Sequence, residues 1–117
     1  MPNIRDVVQA LGSREGVEGV ILLGHDGLTI DSFISTGLDP DSVSALVPSV
    51  IDSCSRVGTE SGRETFVTGV MEYSGGFAVI ARLTPETLLA ILAKPDANIG
   101  ALLYDLRRFR VAIAKLL

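Results

Sequence analysis

His25, the only histidine of the chain, stands beside Asp26. An imidazole next to a carboxylate is a combination suited to acid–base chemistry, because imidazole changes charge near neutral pH. The setting argues against that use. The pair lies in Gly24-His25-Asp26-Gly27, between two apolar runs. Asp-Gly in such a place signals a tight hairpin, whose glycine takes a positive φ without steric cost. A hairpin tip offers no pocket, and no nucleophile is placed near it. Cys54, the one cysteine, falls on the apolar stripe of a predicted helix and reads as packing. One His and one Cys on different elements do not make a metal centre, which needs three or four ligands. The Gly-x-x-x-x-Gly-Lys-Ser/Thr phosphate cradle is absent, and Gly75-Gly76, like Gly24 to Gly27, is a turn by position. The chain is therefore read as non-enzymatic, with no cofactor and no metal.

The elements that carry these residues follow from periodicity. Ile4, Val7, Val8 and Leu11 recur at helical spacing, and Gly12 stops that first helix. Val20-Ile21-Leu22-Leu23 is apolar at every position and predicts a strand covered on both faces. Leu28 to Phe33 mixes polar and apolar residues, as a strand nearer a sheet edge does. Asp39-Pro40 opens a middle helix, Asp as cap and Pro at the first helical position. Its core stripe is Val43, Leu46, Val47, Val50, Ile51, Cys54 and Val57, and Gly58 or Gly62 ends it. Pro48 lies inside it. A proline there removes a hydrogen bond and clashes with the preceding turn, at about 3 kcal/mol, so a kink is expected. The outer face is small: Ser44, Ala45, Ser49 and Ser53.

Thr65 to Met71 predicts a third strand, Phe77 to Leu83 a fourth and Thr87 to Ala93 a fifth. The fifth is apolar on both faces and should be central, although its Leu and Ala content favours helix. Asp96 is placed to cap a last helix running to Leu117, with Ile99, Leu102, Leu103, Leu106, Phe109, Ile113 and Leu116 as its buried stripe. Arg107, Arg108 and Arg110 read as a solvated face of that helix. One antiparallel sheet with helices on its two faces buries all these stripes, an α+β layered fold.

Composition bounds the rest. The 117 residues suit a single domain, 1–117. The apolar runs are too short to cross a bilayer, so no membrane insertion is expected. The start lacks a signal-peptide core, and a lone cysteine fits a reducing compartment, which points to a cytoplasmic protein. A net charge of −4, no Trp and few aromatics argue against nucleic acid as a partner.

The order helix, two strands, helix, three strands, helix resembles the roadblock/dynein light chain family. The residues that carry the likeness are Gly16-Val17-Glu18-Gly19-Val20 leading to the Asp26-Gly27 turn, the long middle helix, Gly75-Gly76 before the fourth strand, and Asn98-Ile99-Gly100 opening the last helix. The chain resembles the compact bacterial members, of the MglB type. The resemblance implies a five-stranded antiparallel sheet of order 2-1-5-4-3, with the middle helix on one face and the terminal helices on the other. It also implies a homodimer joined through the third strands, with middle helices side by side, and a small Ras-like GTPase (MglA-like) as partner.

Two sets of residues follow. Thr65, Phe66, Val67, Thr68 and Val70 of the uncharged third strand, with Ser53 of the middle helix, are the expected dimer interface, since an unguarded strand edge templates pairing. Asp41, Ala45, Ser49, Asp52 and Arg56 are the expected partner-binding residues. Arg56 and Arg63 are of the type that a GTPase activator donates to the transition state, but their ordinary reading is an ion pair or a solvated side chain. The alternative function is a dimeric adaptor without nucleotide preference. A small-molecule sensor ranks last, because the apolar strands supply few convergent polar groups.

Overall fold

The computed structural model describes residues 3–117. Its elements are α1 (Ile4–Gly12), β1 (Val17–Gly24), β2 (Thr29–Ile34), α2 (Pro40–Ser44), α3 (Val47–Glu60), β3 (Thr68–Tyr73), β4 (Gly76–Thr84), β5 (Thr87–Ala93) and α4 (Ile99–Ala114). The strands form one antiparallel sheet of order β2-β1-β5-β4-β3, as the resemblance implied. In β1, Val20, Ile21, Leu22 and Leu23 pair with Ile91, Ala90, Leu89 and Leu88 of β5. All eight are 2% exposed or less. Successive strand side chains alternate between faces, so two unbroken apolar runs at the centre require cover on both sides. That demand also settles β5 as a strand: ladder bonds to β1 and β4 outweigh the helix preference of its Leu and Ala residues.

One face carries α1 and α4. There Val8, Val20, Leu22, Val79, Leu89, Ile91, Leu102 and Leu106 pack together. The other face carries the middle helix over Ile21, Leu23, Ile80, Leu88 and Ala90, with Val47 and Ile51 pressed onto them. An Asn3–Asp6 capping box fixes the start of α1, each side chain accepting the other's backbone N–H at 3.0 Å.

Five expectations from the sequence are corrected. Pro48 breaks the middle helix outright instead of kinking it. Two turn residues, Ala45 and Leu46, separate α2 from α3, and Pro48 then falls in the first turn of α3, where its missing N–H costs nothing. The stripe was read too wide: Leu46 and Val57 are 67% and 68% exposed. β3 begins at Thr68 rather than Thr65 and runs on to Tyr73, so it includes Glu72. The cap of α4 is Asn98, whose side chain accepts from the Ala101 N–H at 3.0 Å, while Asp96 sits in the turn before it. The helix ends at Ala114, short of Leu117.

Candidate functional site

The middle helix has two unlike flanks, and the sheet beneath explains both. Toward the β1–β2 hairpin the flank is polar and tied down. Ser44, fully buried, donates its Oγ hydrogen to the Gly27 carbonyl at 2.9 Å. Thr29 Oγ1 donates to Asp41 Oδ1 at 2.7 Å, and His25 Nε2 lies 3.5 Å from Asp52 Oδ1. Gly27 holds φ at +87°, and a Cβ there would sit 3.5 Å from Ala45 Cα and 3.8 Å from Pro48 Cγ. The hairpin tip thus rests on the break that Pro48 creates. The positive φ is what restricts the site to glycine.

Ser44 was expected on the outer face and is instead buried, with its hydroxyl satisfying a backbone carbonyl that would otherwise lie unpaired. His25 was expected to be a plain turn residue. Its tie to Asp52 was missed because the two are far apart in sequence.

Toward β3 the flank is apolar and open. Leu46, Val50 and Val57 lie on it at spacings of four and seven residues, the positions that share one side of a helix. A groove of about 300 Å³ separates that flank from the sheet, lined by Val43, Leu46, Val47, Val50, Met71 and Tyr73 among others. Tyr73 is 59% exposed. Beyond it β3, among the described residues, pairs with β4 on one side only, so its other edge presents free backbone groups. The signal was present in the sequence as a stripe wider than one sheet contact needs.

The expected partner-binding residues Asp41, Ala45, Ser49, Asp52 and Arg56 are all exposed. They are divided between α2, the break and α3. Asp41 and Asp52 are engaged by Thr29 and His25, and Ser49 Oγ donates to the Leu46 carbonyl at 3.0 Å. Of the expected dimer residues, Thr65, Val67, Val70 and Ser53 are exposed, Thr68 is half-buried and Phe66 turns inward onto the core beneath α3. Thr65, Phe66 and Val67 precede the β3 ladder.

Arg63 folds back, its guanidinium donating to the Ser61 carbonyl at 2.6 Å. Arg110 is not merely solvated: it donates to the carbonyls of Val67 and Arg82, at 2.9 and 2.7 Å, where β3 parts from β4. Partial burial lowers its pKa from the ordinary arginine value. Among the described residues no three His, Cys, Asp or Glu side chains gather as a metal site would need.

The Roadblock/LC7 domain profile matches residues 3–93. The chain belongs to that family. Two uncharacterized proteins of Methanocaldococcus jannaschii are each 26% identical to it over 102 residues, covering 87% of this chain and 89% of theirs. A Roadblock/LC7 domain from Streptomyces avermitilis superposes with a TM-score of 0.81 at 21% identity, over 96% of this chain and 95% of its own. Myxococcus xanthus MglB superposes with a TM-score of 0.86 at 16% identity, over 97% and 86%. At such identities the structural likeness speaks for the fold.

Proposed function

We propose that the chain is a non-enzymatic homodimeric regulator of a small Ras-like GTPase of the MglA kind, working in the cytoplasm. The observation that carries this reading is the unlike pair of flanks on the middle helix. The apolar flank, with Leu46, Val50, Val57 and the β3 edge, is the surface a second copy covers. Thr65, Val67, Thr68, Val70 and Ser53 lie along that seam, and Phe66 supports it from within. The polar outer side, with Asp41, Ala45, Ser49, Asp52 and Arg56, remains facing outward and is the platform for the GTPase.

Such a platform acts by favouring one arrangement of the partner's mobile switch segments. The experiment is capture of a purified MglA-type GTPase loaded with GDP or with a non-hydrolysable GTP analogue. Retention in one nucleotide state, lost in Ser49→Lys with Asp52→Lys while far-UV circular dichroism is unchanged, supports the reading. Retention unaffected by that double variant overturns the placement.

A second reading, a dimeric adaptor indifferent to nucleotide, is favoured by a specific feature. Arg63 is folded back onto the Ser61 carbonyl, which takes one of the two arginines near this surface away from acting on a phosphate. Equal capture in both states selects it.

A further inference from the structure

The outer face of α4 is unlike the rest of the molecule. The chain carries a net charge of −4, yet residues 99–117 hold four cations and one carboxylate. That carboxylate, Asp105, is paired with Arg14 of the loop after α1. Tyr104, Arg108, Val111 and Lys115 follow one another at helical spacing along the exposed side, with Arg107 beside them. Tyr104 and Val111 are 61% and 66% exposed. The Arg108 guanidinium stands 4.9 Å over the Phe109 ring and 5.6 Å over the Tyr104 ring, a cation–π arrangement that keeps the charge at the helix surface. A solvated helix face ordinarily alternates charges of both signs with few large apolar groups.

Next to this face, between α1 and α4, runs an open groove of about 440 Å³. Its walls include Val7, Leu11, Leu106, Phe109, Ile113 and Leu116. The charged residues that line the groove, Arg14 and Asp105, neutralise each other, so the cationic character belongs to the neighbouring helix face, and face and groove together match a surface with anionic heads and apolar tails.

We infer that the α4 face, with the groove beside it, is a docking surface for an anionic lipid bilayer, which the protein meets peripherally and without spanning it. The main apolar stripe of α4 is taken up by the sheet, so its exposed face would meet the headgroup region through Arg107, Arg108 and Lys115, with Tyr104, Phe109 and Val111 as the apolar groups among them. The convex cationic face suits a planar, deformable surface, and the groove accepts a lipid tail. Each Lys or Arg near an anionic leaflet strengthens attachment about fivefold, so Arg107, Arg108 and Lys115 together give roughly a hundredfold. The inference holds for a single copy. Side-by-side pairing sets two such faces on the same side of the joined sheet and strengthens it. α4 lies beyond the part of the chain that the family profile matches.

The test is co-sedimentation with vesicles of phosphatidylcholine containing roughly a third phosphatidylglycerol, against pure phosphatidylcholine, at about 0.1 M salt. The full chain is expected to pellet with the anionic vesicles only, and to be released by high salt. Arg107→Glu with Arg108→Glu is expected to weaken binding more than about tenfold, and Arg107→Lys with Arg108→Lys to keep it. Arg63→Glu, beyond the end of α3, should bind as the parent does. Circular dichroism of each variant establishes that it is folded. Failure of the parent to bind anionic vesicles, equal binding to both vesicle types, or undiminished binding of the folded double-Glu variant overturns the inference. So does capture of an acidic protein by this face without any vesicle binding.

Discussion

The two faces of the sheet are finished differently. On one, α1 and α4 together cover the centre and leave the strand residues beneath them sealed: Val20, Leu22, Val79, Leu89 and Ile91 are at most 2% exposed. On the other, a single helix interrupted at Ala45 and Leu46 covers Ile21, Leu23, Leu88 and Ala90, then stops short of β3. Leu46, Val50, Met71 and Tyr73 are left beside an open groove, and Val57, further along α3, is exposed. The lesson is that on one face the chain's own helices cover the middle of the sheet, whereas on the other the margin along β3 is left open, the place where the proposed second copy would lie. Exposed apolar side chains scattered singly are ordinary; a row of them beside an unpaired strand edge marks an interface.

The largest effect should come from the sealed core beneath the middle helix. Ile51→Ala removes the side chain that seats α3 on the sheet, fully buried in the structure. A loss of about 3 kcal/mol is expected in urea unfolding, from transfer and cavity terms together. Next is the tie between hairpin and helix. Ser44→Ala leaves the Gly27 carbonyl buried without its donor and is expected to cost about 1–2 kcal/mol. A cost near zero would mean that the hairpin tip does not rest on the Pro48 break. The smallest effect on the isolated chain belongs to the open flank. Leu46→Asp with Val57→Asp alters two exposed side chains, so the unfolding free energy of a single copy should move by no more than about 0.5 kcal/mol. Self-association, by contrast, should be lost. His25→Ala belongs at the same end of the scale, within about 0.5 kcal/mol, because the His25–Asp52 contact is open to solvent.

Much of this contrast could be read from the sequence, and the reason is local. Unbroken apolar runs at Val20–Leu23 and Leu88–Ala93 demand cover on both faces whatever lies elsewhere. They identified the two central strands, and β5 was bounded to the residue. What failed depended on contacts between distant segments. Periodicity counts Leu46 and Val57 with the core because both lie near the apolar side of a helix; only the width of the sheet beneath decides which of them is covered. Pro48 was recognised as costly, but a kink and a break differ by whether something fills the gap, and Gly27 does. β3 starts three residues later than its composition suggests. Phe66 is drawn under α3, and Arg110, reaching from the opposite layer, holds the carbonyls of Val67 and Arg82 where the ladder ends. Asp41, Ala45, Ser49, Asp52 and Arg56 are exposed, as a helix's outer side requires, yet the ties of Asp41 to Thr29 and of Asp52 to His25 span too much sequence to be foreseen.

The most direct measurement is sedimentation equilibrium of the parent chain and of Leu46→Asp with Val57→Asp. If a second copy closes the open flank, the parent sediments at twice the 12.4 kDa chain mass and the folded variant at the mass of one chain. A parent of one chain's mass, or a variant that stays paired, would contradict the view that the β3 side of the middle helix is where this protein meets its own copy.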